Sequence, residues 1–276
     1  MVNEYFKASS LEDALGLLEA KPGANLLAGG TFFMAGYLRG SGPTSPAKTR
    51  LDIVIDIGPL LSRKISKEDG RLCIGAGVSF QELAESAEVP VQLRNAALTM
   101  ANRNTRNRAT VGGNLGANKS CASLIPFFLA ADARVAVQRK DEKQTEMALA
   151  KWLSEPKGIV LNLSFPLEPG MLAATLRSSR TACDVATSTA AVAYRLEGTT
   201  IRDLRIALGG FGPHARRWPE LEALFEGKSL ASKADIEKMA SGFLLVAADQ
   251  RGSEDYKRHR GATLLSDALH AVEVLA

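Results

Sequence analysis

Apolar and polar positions along this chain fall into blocks of changing period, and each change predicts an element. Residues 5–8 read as a short strand. Ser9 and Glu12 then stand at capping-box spacing, with Leu11, Ala14, Leu15 and Leu18 following on one helical face. Pro22-Gly23 stops that helix, and residues 25–28 form an apolar strand. Residues 39–49, rich in Gly, Ser, Pro and Thr, read as a loop. The alternating, β-branched residues 51–57 predict a strand, as do residues 71–78, which glycines break. Ser79 and Glu82 repeat the capping spacing before a short helix, and residues 90–101 predict a longer one. A basic loop follows, then a helix at 124–131, a strand at 134–137 and a strand at 158–165 that Pro166 ends.

The stretch Pro166-Leu167-Glu168-Pro169-Gly170 is turn chemistry between apolar segments and suggests a domain boundary. Beyond it, residues 190–196 and 201–208 flank Glu197-Gly198-Thr199 as an antiparallel hairpin. Three helices are predicted to finish the chain, at 219–226, 234–248 and 256–275. The last carries Leu264, Leu265, Ala268, Val272 and Leu275 on one broad face, suited to packing on the hairpin. The expected fold class is α+β in two parts, residues 1–168 (subdivided near 50–58) and residues 169–276.

Composition narrows the function classes. With 46% hydrophobic and 23% charged residues, the 276-residue chain has the balance of a globular protein with room for two cores. Its net charge of +4 is small and scattered, and no nucleic-acid-binding module is recognisable. No run is long enough to span a bilayer, and no apolar segment of the signal-peptide kind follows the first residues, so a cytoplasmic location is expected. Cys73, which reads as a core residue of its strand, lies far from Cys121 and Cys183. Neither these nor His214, His259 and His270 have metal-ligand spacing. Arg94, Arg103, Arg106 and Arg108 form a basic cluster without an intervening acid. It suits either a solvated helix end or a positive field for phosphates.

Two glycine pairs carry the candidate chemistry. Ala28-Gly29-Gly30-Thr31-Phe32 and Thr110-Val111-Gly112-Gly113-Asn114 each place two glycines beside a hydroxyl. Glycine allows backbone N–H groups to approach an anion without a Cβ in the way. Gly29, Gly30, Thr31 and Phe32 on one side, with Thr110, Gly112, Gly113 and Asn114 on the other, are therefore expected to offer backbone donors to adjoining phosphates. No G-x-S-x-G, no H-E-x-x-H and no Cys–His pair is present, so no catalytic acid–base residue is expected.

These motifs, with Arg106-Asn107 ahead of the second pair, resemble the FAD-binding medium subunit of the molybdenum hydroxylases. That family includes xanthine dehydrogenase and carbon monoxide dehydrogenase. Further resemblance lies in Arg180 with Asp184, in Ala207-Leu208-Gly209-Gly210 with Arg216 and Glu222 beyond it, and in Arg251-Gly252-Ser253 with Tyr256-Lys257. The resemblance implies a two-part FAD-binding domain of the vanillyl-alcohol oxidase type, followed by a small α+β domain of antiparallel sheet and helices. It implies FAD held by both glycine turns, with a molybdopterin-binding large subunit and a two-iron two-sulfur small subunit as partners. Electrons would pass from the clusters through the flavin to NAD or another acceptor. Arg180 and Asp184 read as a structural ion pair, and Tyr256 as helix packing.

The chain departs from the family pattern after the second glycine pair. Lys119, Ser120 and Ser123 stand where a small residue, a proline and a cofactor-binding aspartate are usual. Ser123 keeps hydrogen-bonding capacity without charge, which bears on flavin affinity and potential. Two other readings fit the same residues: a flavin-free scaffold subunit of the same fold, and a stand-alone flavoprotein oxidase or reductase.

Overall fold

The computed structural model describes residues 2–33 and 53–275. The loop expected at 39–49, the boundary near 50–58 up to residue 52, and the first two residues of the 51–57 strand lie outside the described residues.

The opening segment builds a small parallel sheet. Strands β1 (Glu4–Lys7) and β2 (Asn25–Leu27) both pair with β3 (Ile53–Asp56), giving the order β1-β3-β2. Helix α1 (Leu11–Ala20) connects the first two strands. Its cap is shifted by one residue from the expected Ser9–Glu12 pair: the Ser10 side chain accepts from the Asp13 N–H, while the Asp13 carboxylate accepts from Ser9. Two adjacent serines leave the frame ambiguous, and the carboxylate able to reach back to Ser9 decides it.

The next part is antiparallel. Strands β4 (Ile65–Glu68), β5 (Arg71–Gly75), β6 (Arg134–Gln138), β7 (Thr145–Ala148) and β8 (Ile159–Pro166) form a sheet of order β4-β5-β8-β6-β7. Between β5 and β6 run α2 (Phe80–Glu85), α3 (Val91–Leu98), α4 (Arg103–Arg108), α5 (Val111–Ala117) and α6 (Ile125–Ala130). Ser79 and Glu82 form the expected capping box on α2. The basic segment expected as a loop is helix α4, whose Asn102 side chain accepts from the Thr105 N–H. A polar N-cap can start so short a helix although no apolar face announces it. Phe127 and Phe128 of α6 pack on Phe165 of β8 at centroid distances of 5.4 and 6.3 Å. Cys73, expected in the core, is half-buried. Helix α7 (Leu149–Ser154) follows β7 directly.

The third sheet has order β12-β11-β10-β9-β13, from β9 (Leu172–Ser178), β10 (Ser188–Glu197), β11 (Thr200–Gly209), β12 (Arg216–Arg217) and β13 (Glu273–Val274). β10 and β11 are the expected hairpin, turned by Gly198 at φ 61°. The continuous apolar run of β10 follows from burial on both faces. Ala191 and Ala193 join the core of the first two sheets, whereas Ala190, Val192 and Tyr194 join a second core under α8 (Pro219–Phe225), α9 (Lys233–Ser241) and α10 (Glu254–His270). The Tyr194 hydroxyl donates to the Leu269 carbonyl at 2.8 Å, fixing α10 on the hairpin. Helix α9 ends at Ser241, short of the expected 248, and α10 starts at Glu254 and stops at His270. The residues after it return to the sheet as β13, where Val274 pairs with Leu172. None of the described helices is long and apolar enough to cross a membrane.

Candidate functional site

Both glycine segments end at one place. The first follows β2, and Thr31 begins a helical turn. The second does not follow a strand. It is the N-terminus of α5, with Thr110 as N-cap accepting from the Gly113 N–H at 3.0 Å. A Cβ on Gly29 would lie 1.8 Å from the carbonyl oxygen of Arg108 and 2.7 Å from its carbonyl carbon. The first turn therefore rests its bare backbone directly on the peptide leading into the second. Gly112 meets the β5–α2 connection in the same way, since a Cβ there would lie 2.8 Å from that of Ala76.

The second segment's backbone donors are taken by the protein itself, which corrects the expected symmetry. Val111 N–H donates to the Val78 carbonyl and Gly112 N–H to the Ala76 carbonyl, at 2.9 and 2.8 Å. Gly113 N–H donates to the Thr110 hydroxyl and Asn114 N–H to the Thr110 carbonyl. The first segment differs: the N–H groups of Gly29, Gly30, Thr31 and Phe32 form no hydrogen bond among the described residues. Gly30, at φ 73°, adopts a left-handed conformation that suits glycine. The Asn114 side-chain oxygen is buried and has no donor among the described residues. Gly113 is exposed, and a Cβ on it would meet only the Thr110 hydroxyl, at 2.9 Å. Ala28 is half-buried just after β2.

Of the departing residues, one reaches the first turn. Lys119 extends to the first turn, its ammonium 5.1 Å from the centre of the Phe32 ring, a cation–π contact between the two segments. Ser120 serves the C-terminal part: its hydroxyl accepts from the Gly210 N–H at 3.1 Å, and its carbonyl would lie 2.7 Å from a Cβ on Gly209. Ser123 is half-buried just before α6. The Ala207-Leu208-Gly209-Gly210 motif thus contains two glycines because one backbone passes close to another. Below it, Lys257, 2% exposed, donates to the Gly210 and Ala247 carbonyls and pairs with Asp249 at 2.9 Å. Arg251 also pairs with Asp249, and a guanidinium nitrogen lies 4.0 Å from the Cys121 sulfur. Burial pushes the Asp249 carboxyl upward, but hydrogen bonds from Lys257 and the Arg251 N–H outweigh it and hold the group below its ordinary value.

The basic cluster is partly structural. Arg106 donates to the Leu98, Met100 and Ala101 carbonyls, closing the C-terminus of α3, and to Gln81. Arg103 pairs with Glu85 at 2.7 Å. Arg180 and Asp184 form the expected ion pair at 2.8 Å. Arg177, missed in the sequence, donates to the Thr99 and Ala182 carbonyls, and burial holds its guanidinium below its ordinary pKa. No motif announces it, because its partners are carbonyl groups.

Comparison with known proteins defines the class to which this fold and site belong. Residues 1–168 match the family described as the FAD binding domain in molybdopterin dehydrogenase, and residues 174–272 match the CO dehydrogenase flavoprotein C-terminal domain. The chain belongs to the FAD-binding medium subunits of the molybdenum hydroxylases. It is 28% identical over 269 residues to the uncharacterized protein YgfM of Escherichia coli K12, covering 97% of this chain and 95% of that one. It is 27% identical to the carbon monoxide dehydrogenase medium chain of Hydrogenophaga pseudoflava, covering 97% and 96%. The solved carbon monoxide dehydrogenase of the latter organism that lacks the Mo-pyranopterin moiety superposes with a TM-score of 0.85. That match is 25% identical and covers 98% of this chain and 97% of the other.

The residues present fit FAD. Among the described residues, the first turn has N–H donors without acceptors and the second a buried asparagine oxygen without a donor, and Gly113 between them is exposed. An anion suits the first set, and a sugar hydroxyl or amino group suits the second.

Proposed function

We propose that this chain is the flavin relay of a molybdenum hydroxylase complex. It takes electrons from the two-iron two-sulfur clusters of a small subunit, after substrate oxidation on a molybdopterin-binding large subunit, and delivers them to NAD or another acceptor. Residues 1–168 form the flavin-binding part and residues 169–276 its C-terminal partner. Ala28, Gly29, Gly30, Thr31, Phe32, Thr110, Gly112, Gly113, Asn114 and Ser123 form the cofactor site.

Bound FAD supplies the electron-carrying chemistry, and the chain supplies position and electrostatics. The N–H groups of residues 29–32, which have no acceptor among the described residues, would hold the diphosphate, and Lys119 would balance its charge. Val111 and Gly112 hold α5 against the β5–α2 connection, and Thr110 caps it, so that Asn114 would keep a fixed position as a hydrogen-bonding group, with Ser123 a second one. The abutment of Gly29 on Arg108 is the observation that supports this reading, because it brings together two segments about eighty residues apart.

Titration of the purified chain with FAD, followed by calorimetry and by the flavin spectrum, tests it. Stoichiometric uptake is expected. Gly113→Val should abolish uptake with little change in far-UV circular dichroism, because the branched side chain fills the exposed approach. Failure of the wild-type chain to take up FAD, both alone and with partner subunits, would overturn the assignment.

A further inference from the structure

Residues 118–121 leave the end of α5, where Asn118 turns the chain at φ 39°. The Asn118 side-chain amide donates to the Leu153 carbonyl of α7 at 3.0 Å. The connection from β11 to β12 grips the same residues from the C-terminal part. His214 Nδ1 lies 2.6 Å from the Asn118 carbonyl oxygen, which can only accept, so the ring donates. Two residues on, the Ser120 hydroxyl accepts from the Gly210 N–H at 3.1 Å, and the Ser120 carbonyl leaves no space for a side chain on Gly209. The connection is itself fixed, because the buried Lys257 ammonium donates to the Gly210 carbonyl at 3.0 Å.

Lys119 stands between these two grips. Its side chain is exposed, rests its ammonium 5.1 Å from the centre of the Phe32 ring and forms no ion pair among the described residues. The cations on the other side of the strap are all compensated: Arg216 and Arg217 pair with Glu220 and Glu222, and Arg251 and Lys257 share Asp249. Lys119 therefore brings an uncompensated positive charge to a turn whose N–H groups have no acceptor among the described residues. Cation and donors together suit an anion. A lysine stem is flexible, so fixing the backbone on both sides of it limits where the ammonium reaches. That lowers the ordering cost of meeting a ligand at the turn.

We propose that His214 and Ser120 are positioning residues for Lys119, an inference that rests on the flavin reading. Through them the β11–β12 connection raises the affinity of the first glycine turn for the diphosphate of FAD. Their contribution to retention passes through the Lys119 ammonium, not through a contact of their own.

Two measurements on the full chain test this. Reductive 13C-methylation keeps the lysine charge and gives each lysine an NMR signal, and Lys119→Arg assigns the one of interest. In the unliganded chain the Phe32 ring should shift that signal, and Phe32→Leu should remove the shift. Ser120→Ala and His214→Ala should each move it towards the position of a free lysine. His214→Asn, which keeps a donor at the same place in the side chain, should restore it. In calorimetric titration, Lys119→Met should weaken FAD binding about tenfold, the loss of one charge-assisted contact. Ser120→Ala and His214→Ala should weaken it about threefold each, and should have no further effect in the Lys119→Met background. A Lys119 signal unmoved by Ser120→Ala and His214→Ala, or affinity losses that add to that of Lys119→Met, would overturn the positioning role. No FAD uptake by the wild-type chain, alone and with partner subunits, would instead overturn the flavin reading, and the NMR signal would still decide what holds Lys119.

Discussion

Single glycines in this chain differ in what they do, and the differences are measurable. Gly29 is glycine because of what it touches: an added methyl group falls within 1.8 Å of a backbone oxygen that has no rotamer to yield. Gly29→Ala should therefore cost about 1–3 kcal/mol through forced backbone displacement. It should lower both the melting temperature and the flavin content. Gly116 lies inside α5, is exposed and has nothing within 4 Å of an added Cβ. Gly116→Ala should raise stability by roughly 0.5–1 kcal/mol, because it only removes conformational freedom from the unfolded chain. Denaturant melts of the two variants should move in opposite directions. A shared direction would mean that local clash does not distinguish these positions.

At the scale of elements, α10 is anchored by a polar cluster rather than by its apolar face alone. Lys257 has three protons and three acceptors: Gly210, Ala247 and Asp249. Asp249→Asn leaves that buried cation without its carboxylate, a change of the kind that costs roughly 3–5 kcal/mol when both partners are buried. Asp249 is about a third exposed, so the low end is expected. The pH dependence has a definite sign. A carboxyl held below its ordinary value stabilises the fold fully above about pH 4 and loses that contribution as pH falls through the folded-state value. Melting curves between pH 6 and pH 3 should show a steeper acid-side decline in the wild type than in Asp249→Asn. Equal slopes would remove Asp249 from the linkage.

Other elements show why only part of this was legible in the sequence. The hairpin of β10 and β11 follows from two apolar runs flanking a Gly198 turn, and α2 from its capping box. Helix α4 was not legible, because Arg103–Arg108 has no apolar stripe and rests on an asparagine cap. Strands β4, β7 and β9 were not foreseen either; β4 and β7 are short and polar on their exposed faces. In the candidate site, the glycine pairs were readable as places where backbone N–H groups can approach an anion, not as places where another main chain meets them. Which backbone meets them was not, since contacts such as Gly29 with Arg108 and Gly209 with Ser120 involve main-chain atoms that no side-chain pattern encodes.

Across the whole molecule, one sheet serves two cores, and its faces are graded by size. Alanines 173, 191, 193 and 207 meet the first core, while Val192, Tyr194, Ile206 and Leu208 meet the second. Small side chains let the third sheet approach closely, and overfilling that joint should cost about 1–3 kcal/mol. Ala191→Leu should lower the melting temperature and weaken flavin retention together, through the Gly209–Ser120 contact. An unchanged melting temperature would show the joint to be loosely packed. The abutment of Gly29 on Arg108 has a consequence for redesign. Two main chains in contact act as a calliper with a fixed jaw, which substitutions away from the contact leave in place. A mutational library intended to retune the cofactor should then be built beside the contact, at Lys119 and Phe32.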